Sequence, residues 1–309
     1  MCTLMRIGLL DVDGHNFPNL ALMKISTFHK RNDDDVEWAI PMMERYDILY
    51  ASKIFTFTPD FNPLEFQAEK MMKGGTGYDI KSVLPTTIEE VRYPDYSIYP
   101  NCNYSLQFYS RGCLWNCPFC LVHDKEGYIK PVEPMELNPR GKWIEVLDNN
   151  FFANPEWREA VNHIRKCNQP VKFHGVDIRI MNEEMAYHLN TLRLKNGIHI
   201  AWDLPQIDLT DKLKEVLKYI KPSKIVCYVL IGFNSTREQD YYRLRRLKEL
   251  GILPFVQPFR DYENKRTPTQ YEKDIARWAN RMWLFNTMDF KDYEPRKGFK
   301  CKEYFSDQC

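Results

Sequence analysis

The densest group of reactive side chains in this sequence of 309 residues consists of three cysteines, Cys113, Cys117 and Cys120. They lie in the segment GCLWNCPFC, in which the spacing is C-x3-C-x2-C and no fourth cysteine is near. A structural zinc site normally takes four protein ligands, so this set is one thiol short. Two kinds of site fit it: a Cys3His zinc site completed by His123, or a [4Fe–4S] cluster with three thiolate ligands.

The composition of this cysteine loop (112–121) favours the iron–sulfur cluster. Pro118 makes the loop stiff, and Trp115 and Phe119 make it apolar, which suits a shielded cluster. In a cube held by three thiolates one iron has no protein ligand, much as a catalytic zinc keeps an open position. The missing fourth ligand therefore predicts the place where a substrate or cosubstrate binds.

The overall composition restricts the partners and the compartment. Lys and Arg number 43 and Asp and Glu 42, so the formal net charge of +1 gives no attraction to nucleic acid or to an anionic membrane. No apolar run approaches the length of a membrane span, and the start MCTLMRIGLLDVDG lacks the shape of a secretory signal. We therefore expect a cytoplasmic protein without a membrane partner, whose nine cysteines do not form a disulfide framework.

The elements that must position the cysteine loop alternate regularly from residue 104 onward. Apolar segments predict six strands, at 104–110, 142–148, 171–178, 197–203, 223–232 and 252–259. Helical patterns cover 155–167, 182–195, 209–220, 236–250 and 269–285. This alternation predicts repeated right-handed βαβ units and a parallel sheet. Six such strands predict a partial (β/α)6 TIM-like barrel, with an open doubly wound sheet as the alternative.

The first hundred residues have a different pattern. They contain apolar strand segments at 5–12 and 46–57, a helical stretch at 18–30 and a glycine-dense loop at 73–79, and we count three strands in all. Residues 92–101 carry two prolines and three tyrosines, which is typical of a linker or an extended crossing segment. We therefore divide the chain into a small N-terminal α/β domain of flavodoxin- or Rossmann-like build (1–100), a (β/α)6 core (101–285) and a C-terminal tail (286–309).

Polar residues stand where the predicted strands end. In either architecture the carboxyl ends of parallel strands share one edge of the sheet, and sites collect there. The polar residues at or after strands two to six are Asp148, Asn149, Asn150, Asp177, Arg179, Asp203, Asn234, Gln257 and Arg260. One such residue can simply mark a strand that emerges into water, but the repetition, with the cysteine loop after strand one, predicts a common site.

The segment GCLWNCPFC resembles the cluster loop of the radical S-adenosylmethionine (radical SAM) superfamily, whose signature is C-x3-C-x-aromatic-C. The resemblance covers roughly residues 104–285. It implies that Cys113, Cys117 and Cys120 ligate three irons of a [4Fe–4S] cluster and that SAM chelates the fourth. It also implies an electron donor such as flavodoxin or ferredoxin, and reductive cleavage of SAM to a 5′-deoxyadenosyl radical that abstracts hydrogen from an unknown substrate, small or macromolecular.

The resemblance further implies, by position, which residues contact SAM. The segment LDNNF stands where the family usually has a glycine-rich segment that binds the SAM amino group, so its three polar residues are assigned by position rather than by identity. The implied contacts are Phe119 and Gln257 to the adenine, Asp148, Asn149 and Asn150 to the amino group, Arg179 to the carboxylate and Asp203 to a ribose hydroxyl. The sequence identifies no catalytic residue that acts on the substrate.

Cobalamin is a further cofactor that some members of the superfamily bind in an N-terminal flavodoxin-like domain, which residues 1–100 resemble in shortened form. His15, in DVDGHNFPN, lacks the following glycine of the D-x-H-x-x-G pattern that ligates cobalt, so cobalamin is disfavoured. The loop KGGTGYD (73–79) could cradle a phosphate or a nucleotide tail with its backbone amides.

Two alternative functions stay open. One is a tRNA-directed methyl or methylthio transferase of the same superfamily. A methylthiotransferase would have three further N-terminal cysteines and an RNA-binding C-terminal barrel, whereas the N-terminal part has only Cys2 and Cys102 and we expect no such barrel, so this alternative is disfavoured. A non-enzymatic module with a Cys3His zinc site would bind a partner instead.

The remaining cysteines do not indicate a second cluster. Cys301 and Cys309, in the tail, are too few to hold one alone. Cys167 and Cys227 are predicted to pack as small hydrophobic side chains.

Overall fold

The structure is a computed structural model that describes residues 4–261 and 264–306. Cys309, one of the two tail cysteines, lies outside the described residues. Within these ranges no helix combines the length and the apolar composition that crossing a bilayer requires.

The N-terminal region forms a parallel sheet of four strands. Its elements are β1 Arg6–Asp11, α1 Leu20–Arg31, β2 Asp35–Trp38, β3 Arg45–Ser52, β4 Gln67–Gly74 and α2 Thr86–Glu89. The strand order is β2-β1-β3-β4, and every neighbouring pair is parallel. This order reverses between β1 and β3, as in doubly wound sheets. The expected α/β character is confirmed, with one strand more than the three that we count in the sequence.

The remainder of the chain is built on a parallel sheet of six strands. Its six strands are β5 Ser105–Gln107, β8 Ile144–Val146, β9 Val171–Val176, β10 Leu194–Ala201, β11 Ile225–Ile231 and β12 Leu253–Pro258. Between β5 and β8, the short strands β6 Ser110–Arg111 and β7 Lys130–Pro131 form a separate antiparallel pair. The order β12-β11-β10-β9-β8-β5 follows the chain without reversal. A doubly wound sheet must reverse, so that alternative is wrong for this sheet. Its closure into a partial barrel stays a prediction.

Helices cover one face of the six-stranded sheet. They are α4 Trp157–Cys167, α5 Glu183–Asn190, α6 Thr210–Val216, α7 Arg237–Glu249, α8 Gln270–Ala279 and α9 Met282–Thr287, whereas α3 Val122–Glu126 follows the cysteine segment. Alternate strand residues such as Phe173 and Val229 share one buried apolar cluster with helix residues such as Leu244 and Ile275. The period of two in burial along β11 is that of a strand with one face in a core.

Three predicted helices end earlier than expected. The pattern at 209–220 stops at Val216. The pattern at 182–195 stops at Asn190, because Leu194 already pairs with Val171 of β9. The pattern at 269–285 is interrupted after Ala279, and the Asn280 side chain leaves the helix to bond β12. Its Oδ1 accepts from the Val256 amide at 2.7 Å and its Nδ2 donates to the Val256 carbonyl at 3.0 Å. The backbone N–H and carbonyl of Val256, on the edge strand β12, are thereby hydrogen-bonded.

The segment 92–101 is a packed joint between the two sheets rather than a free linker. Tyr96 and Tyr99 are buried. The Tyr96 hydroxyl accepts from the Leu106 amide of β5 at 2.9 Å, and the Tyr99 hydroxyl donates to Asp11 of β1 at 2.8 Å. The two sheets are therefore joined by hydrogen bonds to buried tyrosines.

The described part of the tail, up to residue 306, packs on the outer helices. Phe290 and Cys301 are fully buried in the main apolar cluster. Tyr304 donates to buried Asp274 of α8 at 2.6 Å. Burial raises the pKa of the Cys301 thiol to about 12, as expected of a packed thiol. The tail therefore completes the helical layer.

Arg243 of α7 binds the carboxyl ends of two strands. Its side chain is about 1% exposed. It donates to the carbonyls of Trp202 at 2.6 Å, Asp203 at 3.1 Å and Leu230 at 2.9 Å, and it pairs with Asp240 at 2.7 Å. One guanidinium therefore fixes the ends of β10 and β11, where sites collect in parallel sheets.

We predict that Arg243→Leu lowers the free energy of unfolding by about 3–5 kcal/mol, because it leaves the Asp240 carboxylate buried without its partner. Urea unfolding followed by circular dichroism measures the change. The matched control is Arg245→Leu on the same helix, whose guanidinium is half exposed and pairs with Glu249 at 3.6 Å. An equal effect of the two changes would contradict the role given to Arg243.

Candidate functional site

The cysteine loop connects β6 to α3, and its first residues pack against the chain directly after α3. Gly112 has φ +83°, and a Cβ there would lie 2.4 Å from the carbonyl oxygen of Tyr128. Only glycine permits both the left-handed backbone and this close approach. The Cys113 amide then donates to the Gly127 carbonyl at 3.2 Å. The loop is therefore held at its base by backbone contacts.

Glu126, the last residue of α3, ties this base to the neighbouring strand. Its carboxylate accepts from Arg111 at 2.6 Å, from the Gly112 amide at 2.8 Å and from the Asn149 side chain at 3.0 Å. Asn149 follows β8, so the carboxylate joins both ends of the cysteine loop to the carboxyl end of β8. In this structure, the predicted SAM contact Asn149 is exposed and is bonded to Glu126.

Asp148 has a structural role directly before the loop. It is about 1% exposed. Its carboxylate accepts from the Tyr109 amide at 2.8 Å and from the Ser110 hydroxyl. Burial raises the pKa of Asp148 to about 6, although the hydrogen bonds from Ser110 and Tyr109 act in the opposite direction.

Asp177, just beyond β9, brings the loop and two predicted SAM contacts together. Its carboxylate accepts from the indole of Trp115, from the Asn150 side chain at 3.1 Å and from the Arg179 guanidinium at 2.8 and 2.9 Å. Trp115 belongs to the cysteine loop, and Asn150 follows β8. One carboxylate therefore fixes three neighbouring segments.

Arg179 faces the cysteines. Its guanidinium carbon lies 4.6 Å from the centroid of the Trp115 ring, a cation–π contact. Its Nη1 lies 4.0 Å from the sulfur of Cys117. A positive charge at this distance stabilises negative charge on the sulfur.

The second half of the cysteine loop, at Phe119, lies near the carboxyl ends of β11 and β12. The half-buried Phe119 ring packs edge-to-face on Phe233, with centroids 5.4 Å apart, and Phe233 packs on Phe259 at 4.9 Å. Phe233 follows β11, and Phe259 follows β12. The loop therefore spans the carboxyl edge from β8 and β9 to β11 and β12.

The three loop cysteines are free thiols of intermediate exposure. Burial raises the pKa of Cys120, and the nearby Cys117 and Cys113 sulfurs add to this increase, so the three lie within electrostatic reach of one another. Among residues 4–261 and 264–306, no group of three or more His, Cys, Asp and Glu side chains is arranged to hold a metal ion. Ligation of a cluster by these thiols stays a prediction.

His123 is the fourth ligand that a Cys3His zinc site would need. Its ring packs edge-to-face on Tyr128 with centroids 4.7 Å apart, and its Nε2 is buried without a hydrogen-bond partner in the described part of the chain. No geometry found there supports a zinc site with the loop cysteines.

The last two predicted contacts lie further along the same edge. The carboxylate of Asp203, after β10, accepts from the Leu230 amide at 3.0 Å, and burial raises its pKa. Gln257 of β12 is exposed and pairs in register with Leu230.

Sequence reasoning missed the residues that support the loop. Glu126 and Trp115 had no assigned role beyond composition, and Asp177 was noted only as the end of a strand. The signal for Asp177 is its position two residues before Arg179, which lets a carboxylate orient a guanidinium on the same turn. No local signal identifies Glu126, because its partners lie up to 23 residues away.

The N-terminal features singled out in the sequence have structural explanations. The ring of His15 stacks on Trp38 with centroids 4.1 Å apart. A Cβ at Gly75, in the loop 73–79, would lie 2.3 Å from the Lys53 carbonyl oxygen, so close backbone packing explains this glycine. The proposed phosphate cradle therefore gains no support.

The comparisons with known proteins do not assign a family. No family model matches the chain, and no curated protein matches it. Among solved structures, the chain has similarity to the radical S-adenosylmethionine methyltransferase TsrM from Kitasatospora setae, with tryptophan substrate and the SAM analog aza-SAM bound. The match has 12% identity and a TM-score of 0.47, and it covers 90% of this chain and 71% of that one. At this similarity we draw no functional conclusion from it.

We predict that Asp148 gives cluster-free protein a distinctive dependence of stability on pH. A carboxyl whose pKa is raised by folding, here to about 6, stabilises the fold below its ordinary value near 3.8, and this contribution is lost as the pH rises through the folded value. The difference in unfolding free energy between wild type and Asp148→Asn should change by roughly 3 kcal/mol between these limits. Urea unfolding at several pH values measures it, and parallel curves for the two proteins would contradict the assignment.

Proposed function

We propose that this chain is a radical SAM enzyme in which Cys113, Cys117 and Cys120 hold a [4Fe–4S] cluster and SAM binds beside it. The observation that carries this proposal is the C-x3-C-x-aromatic-C loop itself, lying over the carboxyl edge of a singly wound parallel sheet. Sites in parallel α/β sheets collect at this edge. The substrate is unidentified, and hydrogen abstraction is the reaction type that we propose.

The chemistry of the donor set fits the cluster. Soft thiolate ligands select iron–sulfur clusters among other soft metal sites. Arg179, with Nη1 4.0 Å from the Cys117 sulfur, offers a positive charge next to ligands that must be deprotonated. Two of its nitrogens are bound by Asp177, which leaves Nη1 as the donor for a ligand carboxylate.

Asn150 fits a bound amino group. The residue is about 1% exposed, and its Oδ1 is buried without a partner in the described part of the chain, while its Nδ2 is used by Asp177. A buried acceptor without a donor costs free energy unless a ligand supplies one. The ammonium group of SAM is such a donor, so of the three LDNNF residues we assign the amino group to Asn150.

The aromatic end of the loop supports the adenine assignment. Phe119, Phe233 and Phe259 form a contiguous apolar surface where the loop meets β11 and β12. Planar rings bind such surfaces by stacking. We therefore keep Phe119 and Gln257 near the adenine and Asp203, whose carboxylate has one oxygen free of the Leu230 amide, near the ribose.

When bound, the cluster and SAM would supply a reductively formed 5′-deoxyadenosyl radical. The chain's own residues hold the reactants. The thiols bind the cluster, Arg179 and Asn150 orient the amino acid part of SAM, and the aromatic residues exclude water. An external electron donor such as flavodoxin or ferredoxin completes the proposal.

We predict that anaerobically reconstituted wild type binds about four irons per chain and releases 5′-deoxyadenosine from SAM after reduction. Cys117→Ala should lose the brown colour and the product together. Cys167→Ala, a half-buried thiol on α4, is the matched control and should retain both. A colourless wild type with one zinc, or fully loaded protein that forms no 5′-deoxyadenosine, would overturn the proposal.

We predict that Asn150→Leu weakens SAM binding about tenfold or more without changing iron content, because one hydrogen bond to a charged group is lost. Equilibrium dialysis of the cluster-loaded protein against labelled SAM measures the affinity. Asn190→Ala, at the exposed end of α5, is the control. Unchanged affinity in the Asn150 variant would refute its assignment while leaving that of the cysteines intact.

A further inference from the structure

The face of the six-stranded sheet that the helices do not cover carries a row of polar and aromatic side chains. We call it the open face, and it is defined by Glu145, Lys172, His174, His199, Tyr228 and Phe255. These residues alternate with the buried apolar positions of β8 to β12. Their contacts run across the strands: Glu145 to His174 and Lys172, His199 to Tyr228, and Tyr228 to Phe255.

Packing alone does not explain this composition. The interior of a closed barrel is filled with layers of bulky branched apolar residues. The helix-covered face of these same strands has such residues, for example Val146, Phe173 and Val229. A charged carboxylate, a lysine and two histidines on the opposite face instead indicate a surface that meets water or a ligand.

Glu145 and His174 form an oriented pair within this row. Glu145 is about 5% exposed, and it accepts from His174 Nε2, from the Trp143 indole at 2.7 Å and from Lys172 at 3.3 Å. Burial alone would raise the pKa of Glu145, but the bonds from His174 and Trp143 and the charge of Lys172 hold it below its usual value. The carboxylate is therefore ionised and fixes the imidazole.

The imidazole presents its other nitrogen to the open face. The His174 side chain is about 35% exposed, and its Nδ1 makes no hydrogen bond within residues 4–261 and 264–306. A histidine held by a carboxylate through one nitrogen, with the other free, has the arrangement of a general base. Burial lowers the pKa of the neighbouring His199, which disfavours a second cation beside His174.

Aromatic rings lie beside this pair. The Tyr228 ring contacts His199 at 5.5 Å and packs edge-to-face on Phe255 at 5.4 Å between centroids. Phe255, on the edge strand β12, is 44% exposed. Phe255 lies three strands from His174, about 14 Å at the strand spacing of a sheet, so a planar ligand that reaches His174 would cover His199 and Tyr228 rather than Phe255.

We propose that the open face binds a planar aromatic substrate with an ionisable N–H or O–H group, and that Glu145 and His174 act there as its proton-transfer pair. The substrate proton moves to Nδ1 of His174, the electron pair stays on the substrate heteroatom, and the Glu145 carboxylate stabilises the resulting imidazolium. The proposal rests on the proposed function, because this substrate would react beside the cysteine loop. His174 lies about 10 Å along the chain direction of β9 from Asp177, which contacts that loop.

The test uses the full chain without cluster or SAM and para-nitrophenol as the probe. This phenol changes colour when it loses its proton, so binding and proton transfer are seen separately, by ultrafiltration and by absorbance. Below the ionisation range of the free phenol, wild type should bind it as the phenolate. His174→Gln should bind it without the phenolate band, and Glu145→Gln should lower the band about tenfold through loss of the adjacent charge.

The controls separate this role from a structural one. His188→Gln on α5, remote from the open face, should leave the band unchanged. Tyr228→Leu should weaken binding while the ionised share of the bound phenol stays constant, because the Tyr228 ring lies against His199 next to His174. Should the buried Glu145 variant not fold, His174→Gln carries the test, since its side chain is partly exposed. Absence of saturable binding to wild type, or an unchanged band in His174→Gln, would overturn the proposal. Because the assay needs no iron, neither result bears on SAM cleavage.

Discussion

The hydrogen bonds accepted by Asp177 are the constraint on which the candidate site depends. They tie Trp115 of the cysteine loop, Asn150 after β8 and Arg179 to one carboxylate at the carboxyl edge of β9. Each donor also has a second function: the indole carries the cation–π contact, the Asn150 Oδ1 is an acceptor that nothing in residues 4–261 and 264–306 binds, and the Arg179 Nη1 lies near Cys117. The carboxylate therefore orients the groups that can meet a ligand instead of meeting it itself.

The electrostatics of the edge follow from this arrangement. Asp148, Asp177 and Asp203 bring three carboxylates to the edge where thiolates are also expected, and burial raises the pKa of Asp148 and of Asp203. The protein offsets them with backbone amides, at Tyr109 and Leu230, and with two guanidinium groups. Arg179 lies on the ligand side, whereas Arg243 binds the strand carbonyls from the helix side. The edge can thus hold buried acidic residues without losing the register of its strands.

The sequence predicted the components of this site better than their contacts. Strand and helix existence from residue 104 onward was predicted because period-two and period-3.6 patterns are local, and their alternation predicted a parallel sheet. The singly wound strand order was not predictable from that alternation, because a doubly wound sheet has the same alternation, and the structure decides it. The role of Asp148 was not predictable, since a buried aspartate that holds a backbone and one that binds a ligand have the same sequence pattern. Glu126 and Asn280 were missed because their partners, Asn149 and Val256, are remote in sequence.

The alternation of polar and apolar residues within each strand shows which face is polar. The prediction of the strand positions did not use this information. Strands of a parallel sheet that are buried on both faces are nearly continuous runs of apolar residues. Here β8, β9 and β10 interpose Glu145, Lys172, His174 and His199 between residues of the core. Such a pattern is typical of a face that stays hydrated or receives a ligand, because even paired charges lose hydration energy when they are buried. The same strands thus build a core on one face and, on the other, a polar wall that leads to the cysteine loop at the carboxyl edge.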